Sequence, residues 1–561
     1  MKLTLTLSFL LAAVAAISQV CTAPQSQIDL TGNALHAHIL NAANFGWDMT
    51  EARYQPDFVT GANTPSTIFL GTLWFGGIDP TGNLKIAVGG YRNTSSASSP
   101  FYTGPLDPAT GTTMGATCAN WDRFFRVTAA EINAFLNDLS DGTLSAPHTA
   151  VRGWPAYGNP FFAGVTGFSL PDQSLAPFHD ADGDGSYDPM KGDYPVVKLQ
   201  GLAAFVPDEQ IWTVVNDQGG GAGGAFPLQA EIQITYFTFG CPDKPLINNA
   251  MFTSHKIINR SSVQLDSFSA ALYVDFDLGC YADDYLGSHP ATNTFYTYNR
   301  TNTDLTPCSG VLSYGINPPV QAVTFLNQSL DRFMPIYNAS VGSPTPATTD
   351  PTTPVEYFRY LTGSWRDGLP LTGVGSGYNP VPPTPVAMHA FSGNPNNANE
   401  WSMLGANQPG GDQRGLGVHQ VGAFAPGQIV ELNTAWTYHR GPGLTHLQNV
   451  TRMLDELPHL PVLYANNFAD VCTSLVSTTN PTGGAQLTVW PNPATSALHV
   501  RMAEAGSGVI RVLDQTGRLV TERQFSDTDT VRLETDVWPA GIYWVQVYDA
   551  YGVAVRKVVV Q

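Results

Sequence analysis

The chain has 561 residues, room for two or three domains, and only 13% are charged while aromatics reach 11% and glycine and proline number 54 and 42. That mixture belongs to turn-rich β proteins with packed cores and excludes a disordered chain. A formal charge of −19 with only 26 lysines and arginines excludes a nucleic-acid binder, which needs a basic patch to replace condensed counterions.

Lys2 precedes an apolar run from Leu3 to Ile17, too short to span a bilayer comfortably, so residues 1–18 read as a signal peptide. Ala16-Ile17-Ser18 puts small residues at −3 and −1, with Gln19 as the new N-terminus. A cut after Ala23 would leave the disfavoured Pro24 at +1, and Ser18-Gln19-Val20 before Cys21 is a poor lipobox. No later segment is long and apolar enough to cross a membrane as a helix. Residues 19–472 are expected to form a β-rich extracellular body, with a break into two subdomains near residue 200 as one option.

Within it, the apolar run Ile68 to Phe75, the turn Asp79-Pro80-Thr81-Gly82-Asn83 and Leu84 to Val88 spell a hairpin. A helix follows, announced by the capping pair Thr128 and Glu131 and by Ile132, Phe135, Leu136 and Leu139 at helical spacing. Period-two alternation then predicts strands through Ala230 to Tyr236, Phe268 to Phe276 and Val430 to Tyr438. The stretches Gly219 to Ala225, Ser343 to Pro354 and Gly373 to Asn399 read as loops. A second helix from Leu444 to Leu457 should end at Pro458. The cysteines lack any CxxC pair, and Cys280 with Cys308, closest in sequence among those of the body core, form the one candidate disulfide.

A polar linker, residues 473–486, precedes residues 487–561, where short strands joined by Asp/Gly turns predict a β-sandwich of immunoglobulin-like type. The ordered set VWPNPA, VLDQTGRLV, PAGIYWVQVYDAYG and RKVVVQ resembles the C-terminal sorting domain (type A) of type IX secretion cargo. The resemblance implies a gram-negative source, contact with the type IX machinery through residues 487–561, and release or attachment at the cell surface. The body, through FHDADGDGSYDPMKGDYP and YVDFDLGCYADDYLG among other stretches, resembles a recurrent group of large exported proteins with the same tag, a likeness that implies no mechanism.

Asp180, Asp182 and Asp184 at positions 1, 3 and 5 with Gly185 at 6 match the start of a calcium loop, since a hard cation wants several oxygens around a sharp bend. Ser186 offers its carbonyl and Asp188 a further carboxylate; Lys191 stands where an EF-hand has glutamate, and Asp193 is the candidate substitute. Asp275, Asp277, Asp283 and Asp284 form a second acidic group, readable as a turn, a cation site or a carboxylate pair for glycoside hydrolysis. His36 and His38 have strand spacing for zinc but no third ligand. Trp74, Phe75, Trp212, Trp365 and Trp436 read as core before they read as a sugar platform. HExxH, GxSxG and P-loop signatures are absent. The reading is therefore an all-β exported structural or binding protein with structural calcium and a glycan or other surface ligand, the alternative being a hydrolase using Asp275 and Asp277.

Overall fold

Alternating apolar residues and frequent turns build sheets, and in the computed structural model two large antiparallel sheets face one another. The first is centred on Leu265–Phe276, which runs between Ile68–Ile78 and Gln413–Phe424; the hairpin partner Leu84–Val88 and the N-terminal strands Gln27–Leu30 and His36–Leu40 extend it. The second is centred on Ile429–His439, between Met251–Asn259 and Val320–Phe325, and continues through Ala230–Thr238 to Glu209–Asn216. Their inner faces share one core, in which Phe45 of the first sheet meets Trp436 of the second edge-on at 4.6 Å. Sheet-on-sheet burial of this kind is what period-two sequences achieve when both inner faces are apolar.

Leu265–Phe276 is buried on its second face as well, because the helix Pro354–Leu361 lies over it: Trp74 stacks on Tyr273 at 4.6 Å and meets Tyr357 of that helix at 5.1 Å. The five aromatics singled out in the sequence are all core, with Trp212, Trp365 and Trp436 no more than 1% exposed.

The described residues are 21–91, 99–219, 225–339, 344–379, 381, 385–469, 471–472, 487–514, 519–549 and 552–561. The expected signal peptide and linker lie outside them, as does most of the run from Gly219 to Ala225. Two compact units result, one ending at Cys472 and the other running Thr473–Gln561. No division falls near residue 200, because strands from either side of it, Ile68–Ile78 and Leu265–Phe276, are hydrogen-bonded neighbours in one sheet.

Helices are more numerous than the two expected. The first, Ala129–Leu139, carries the anticipated Thr128/Glu131 capping box. The second, His446–Glu456, is capped by Thr445 and Gln448 and ends just before Pro458, as expected; Pro458 also caps the start of a further helix, His459–Ala465, since proline lacks only a donor that a helix start leaves unused. Pro354–Leu361, not expected from the sequence, begins with a capping box from Thr353 and Glu356. Short helices Gly115–Trp121, Thr149–Arg152 and Phe162–Thr166 join Ala129–Leu139 around a separate small core with Trp121, Trp154, Tyr187 and Trp212.

The terminal unit is a sandwich made from one long bent hairpin, Ala497–Asp514 with Leu519–Glu534. One end of the hairpin pairs Thr488–Trp490 and the other pairs Gly541–Asp549, which in turn pairs Gly552–Val560. Register shifts between Arg501 and Gly508 mark the bend. Leu498, Val500, Ile510, Val512, Val545 and Val558 fill its own core.

Candidate functional site

Two of the acidic clusters anticipated in the body bring three carboxylates together each. The first is the Asp/Gly loop. Phe178–His179 pairs antiparallel with Tyr194–Pro195, so the flanking residues Asp180 and Asp193 are brought opposite each other by hairpin closure. Oxygens of Asp180, Asp182 and Asp193 lie within 4.8 Å of one another. Asp193 is fully buried and accepts from the N–H groups of Ala181 and Asp188, both at 2.8 Å. The Asp180 carboxylate accepts from Gly183 N–H (2.8 Å) and Gly185 N–H (2.9 Å); both glycines have positive φ, the conformation the sharp bend demands. Tyr187 anchors the loop, fully buried and donating its hydroxyl to the Val151 carbonyl at 2.8 Å.

The remaining loop residues are placed differently from the expectation. Asp184 pairs with Lys191 Nζ at 2.5 Å, which also lies 3.0 Å from Asp182, and this ammonium holds the Asp184 carboxyl below its usual range. Asp188 accepts from Met190 N–H and caps the turn Pro189–Lys191. Ser186 N–H donates to Asp184. Asp188 does not join the cluster, because its carboxylate is spent on the turn that follows. For the three that do converge, calcium–oxygen distances of about 2.3–2.6 Å make oxygens up to about 5 Å apart compatible with one shared ion.

The second cluster sits at the end of the central strand pair. Asp275 on Leu265–Phe276 is directly opposite Arg414 on Gln413–Phe424. Two residues on and two residues back, Asp277 and Asp412 leave the same strand ends on the same face. Oxygens of Asp275, Asp277 and Asp412 lie within 4.8 Å of one another. Arg414 Nε is 3.1 Å from Asp275 and Nη1 is 3.2 Å from Asp412, and the Tyr91 hydroxyl donates to the other Asp275 oxygen. Burial pushes the Asp275 carboxyl up to about 7 against the opposing pull of Arg414. Burial, then the charges of Asp275 and Asp412, raise Asp277 well above the carboxylate range.

Asp283 and Asp284 are not part of this group, contrary to the expectation of one four-acid site. The turn after the strand separates them: Gly279, at φ +71°, passes so close to the Asp304 carboxylate that a Cβ there would lie 2.2 Å from it. Asp284 instead accepts from Leu278 N–H at 2.9 Å and Asp283 from Asn299 Nδ2 at 3.2 Å. Cys280 is bonded to Cys308, the pair suggested by the sequence; Cys21–Cys118 and Cys241–Cys472 are the other two disulfides. Asp412 escaped the sequence reading because nothing local links it to Asp275.

Asp277 also lines a cavity of about 690 Å³ with His36, Arg53, Phe58, Phe69 and Leu312. His36 and His38 share a strand face, but the zinc option fails on their partners: His38 contacts Asp29 at 2.7 Å and Gln27 at 2.8 Å, and His36 contacts Gln55 at 3.1 Å and Asp29 at 3.3 Å. All four ring nitrogens are engaged.

Residues 488–561 match the family described as the secretion system C-terminal sorting domain. The chain is therefore type IX secretion cargo, exported and directed to the cell surface by its terminal sandwich. Among solved structures it is similar to a DUF3244-family protein with an immunoglobulin-like β-sandwich fold from Bacteroides vulgatus, at 18% identity over 13% of this chain and 83% of that one, TM-score 0.12. It is also similar to a polysaccharide lyase at 10% identity over 65% of this chain and 38% of that one, TM-score 0.20. No curated protein matches.

Proposed function

We propose that the body is a calcium-braced binding protein displayed at the cell surface by the sorting domain. The observation that carries calcium is the convergence of Asp180, Asp182 and the buried Asp193 at the closed end of a two-strand ribbon, an all-oxygen set suited to a hard cation. Lys191 competes for the same carboxylates and, nearly half exposed, is free to swing away. The cavity beside Asp277, with aromatic and charged walls, is the place for a glycan or other surface ligand.

The hydrolase reading draws on the nearness of Asp275 to Asp277. It is the weaker of the two, because Asp275 is wrapped by Arg414 and Tyr91 and only Asp277 reaches the cavity, whereas glycoside cleavage needs two carboxyl groups at the bond. Thermal melts with calcium and with chelator test the proposal: calcium at a hundredfold excess over its Kd stabilises by about 2.7 kcal/mol, and Lys191→Met should tighten binding several-fold. A melt indifferent to chelator would sink it. Turnover of a polysaccharide panel by the wild type, abolished in Asp277→Asn, would favour the hydrolase.

A further inference from the structure

The buried end of the central strand pair holds more negative charge than its neighbours neutralise. Asp275, Asp277 and Asp412 converge, and Asp350 lies 3.8 Å from the same guanidinium; one arginine faces four carboxylates. Its contacts are also imperfect. Although Arg414 is within ion-pair distance, its Nε and Nη1 make no hydrogen bond, and Asp275 Oδ1 and Asp412 Oδ1 are buried without a hydrogen-bond partner among the described residues. Asp275 is 4% exposed and Asp277 7%. Isolated buried carboxylates are costly unless a proton or a cation compensates them.

We propose that Asp275, Asp277 and Asp412 hold a divalent cation of the calcium class at the inner end of the cavity, a site separate from the Asp180 loop. Three observations support it independently of the acid count. Asp275 Oδ1 is buried without a hydrogen bond, with only the Arg414 guanidinium at ion-pair distance. Asp277 makes no hydrogen bond among the described residues and lines the cavity, so water or an oxygen-bearing ligand can complete the coordination shell from that side. The donors are all oxygen, with no histidine or thiolate among them, which selects calcium or magnesium over zinc or copper.

The site is rigid on the protein side. Asp275 is set by its register opposite Arg414, and Asn338 Nδ2 donates to Asp412 at 2.5 Å. The turn carrying Asp277 is fixed at Gly279 and by the Cys280–Cys308 disulfide. Preset ligands of this kind lower the ordering cost of binding.

Calorimetric titration of the chelator-stripped full chain with calcium at pH 7.5 tests the proposal. The wild type should titrate a site that Asp277→Asn weakens at least tenfold and that Asp182→Asn, in the loop, leaves intact. Asp412→Asn serves as a second, less buried variant should Asp277→Asn misfold, with near-ultraviolet circular dichroism as the check. Calcium binding unaltered by both Asp277→Asn and Asp412→Asn, or no calcium binding outside the loop site, would overturn it. A wild type that titrates the Asp277-dependent site but no Asp182-dependent one would instead defeat the loop assignment.

Discussion

Stripped of divalent cations, the body should become more stable as the pH falls from 7.5 to 5.5, and Asp275 should account for a defined share. Its carboxyl sits at about 7 in the folded protein against 3.8 in the unfolded chain. At pH 5.5 the folded protein therefore keeps a proton that the unfolded chain has lost. That contribution is fully present below about 4 and disappears as the pH rises through about 7. Averaged over the window the folded state holds about 0.7 of an extra proton, so two pH units are worth about 2 kcal/mol. His255, lowered to about 4 by burial, acts in the opposite sense by roughly 1 kcal/mol. Carboxylates held low, such as Asp48 and Glu356 at about 2, have almost finished titrating in both states by pH 5.5. Comparing the wild type with Asp275→Asn cancels the groups remote from it, His255 included, and reads Asp275 together with the coupled Asp277. Scanning calorimetry in chelator should give a pH-induced rise in the body transition that is roughly 2 °C larger for the wild type, taking the entropy of a unit of about 450 residues. Equal shifts in the two proteins would refute the assignment of a high proton affinity to Asp275. With calcium saturating, the wild-type trend should weaken or reverse, because protons and the ion compete for the same oxygens.

Replacing Cys472 by serine opens a loop spanning 231 residues of sequence; chain entropy assigns that closure about 5 kcal/mol, so the body transition should fall by roughly 5 °C in calorimetry. Mass spectrometry of the exported protein should find the N-terminus upstream of Cys21, since that residue is bonded to Cys118; a mature chain beginning at Pro24 with a free Cys118 would contradict the bond. Deleting residues 488–561 should leave the body in the periplasm, and its normal appearance at the cell surface would count against export through this domain.

Some of the architecture is written locally and is legible without coordinates. The terminal sandwich is announced by alternating apolar residues, although the short strands read there merge into the long hairpin Ala497–Asp514 with Leu519–Glu534. The helix Ala129–Leu139 is fixed by its own capping box. The helix Pro354–Leu361 carries the same kind of cap, but it is a short segment that follows a Thr/Pro-rich run reading as loop. Pro458 ends one helix as its position implies and also starts the next, a use to which proline is equally suited.

In the sites, the sequence determined the types of donor and the loop that bends them. The expectation that Asp193 lies near Asp180 rested on sequence proximity, and a two-strand ribbon makes it geometrical. The company Asp275 keeps was decided only by tertiary structure. Arg414 and Asp412 reach it because Leu265–Phe276 and Gln413–Phe424 pair in one particular register, and register between distant strands depends on how both sheets bury their inner faces, a property no local window contains. The same holds for Cys21 with Cys118 and Cys241 with Cys472, whose pairing waits until the sheets bring remote segments within bonding distance.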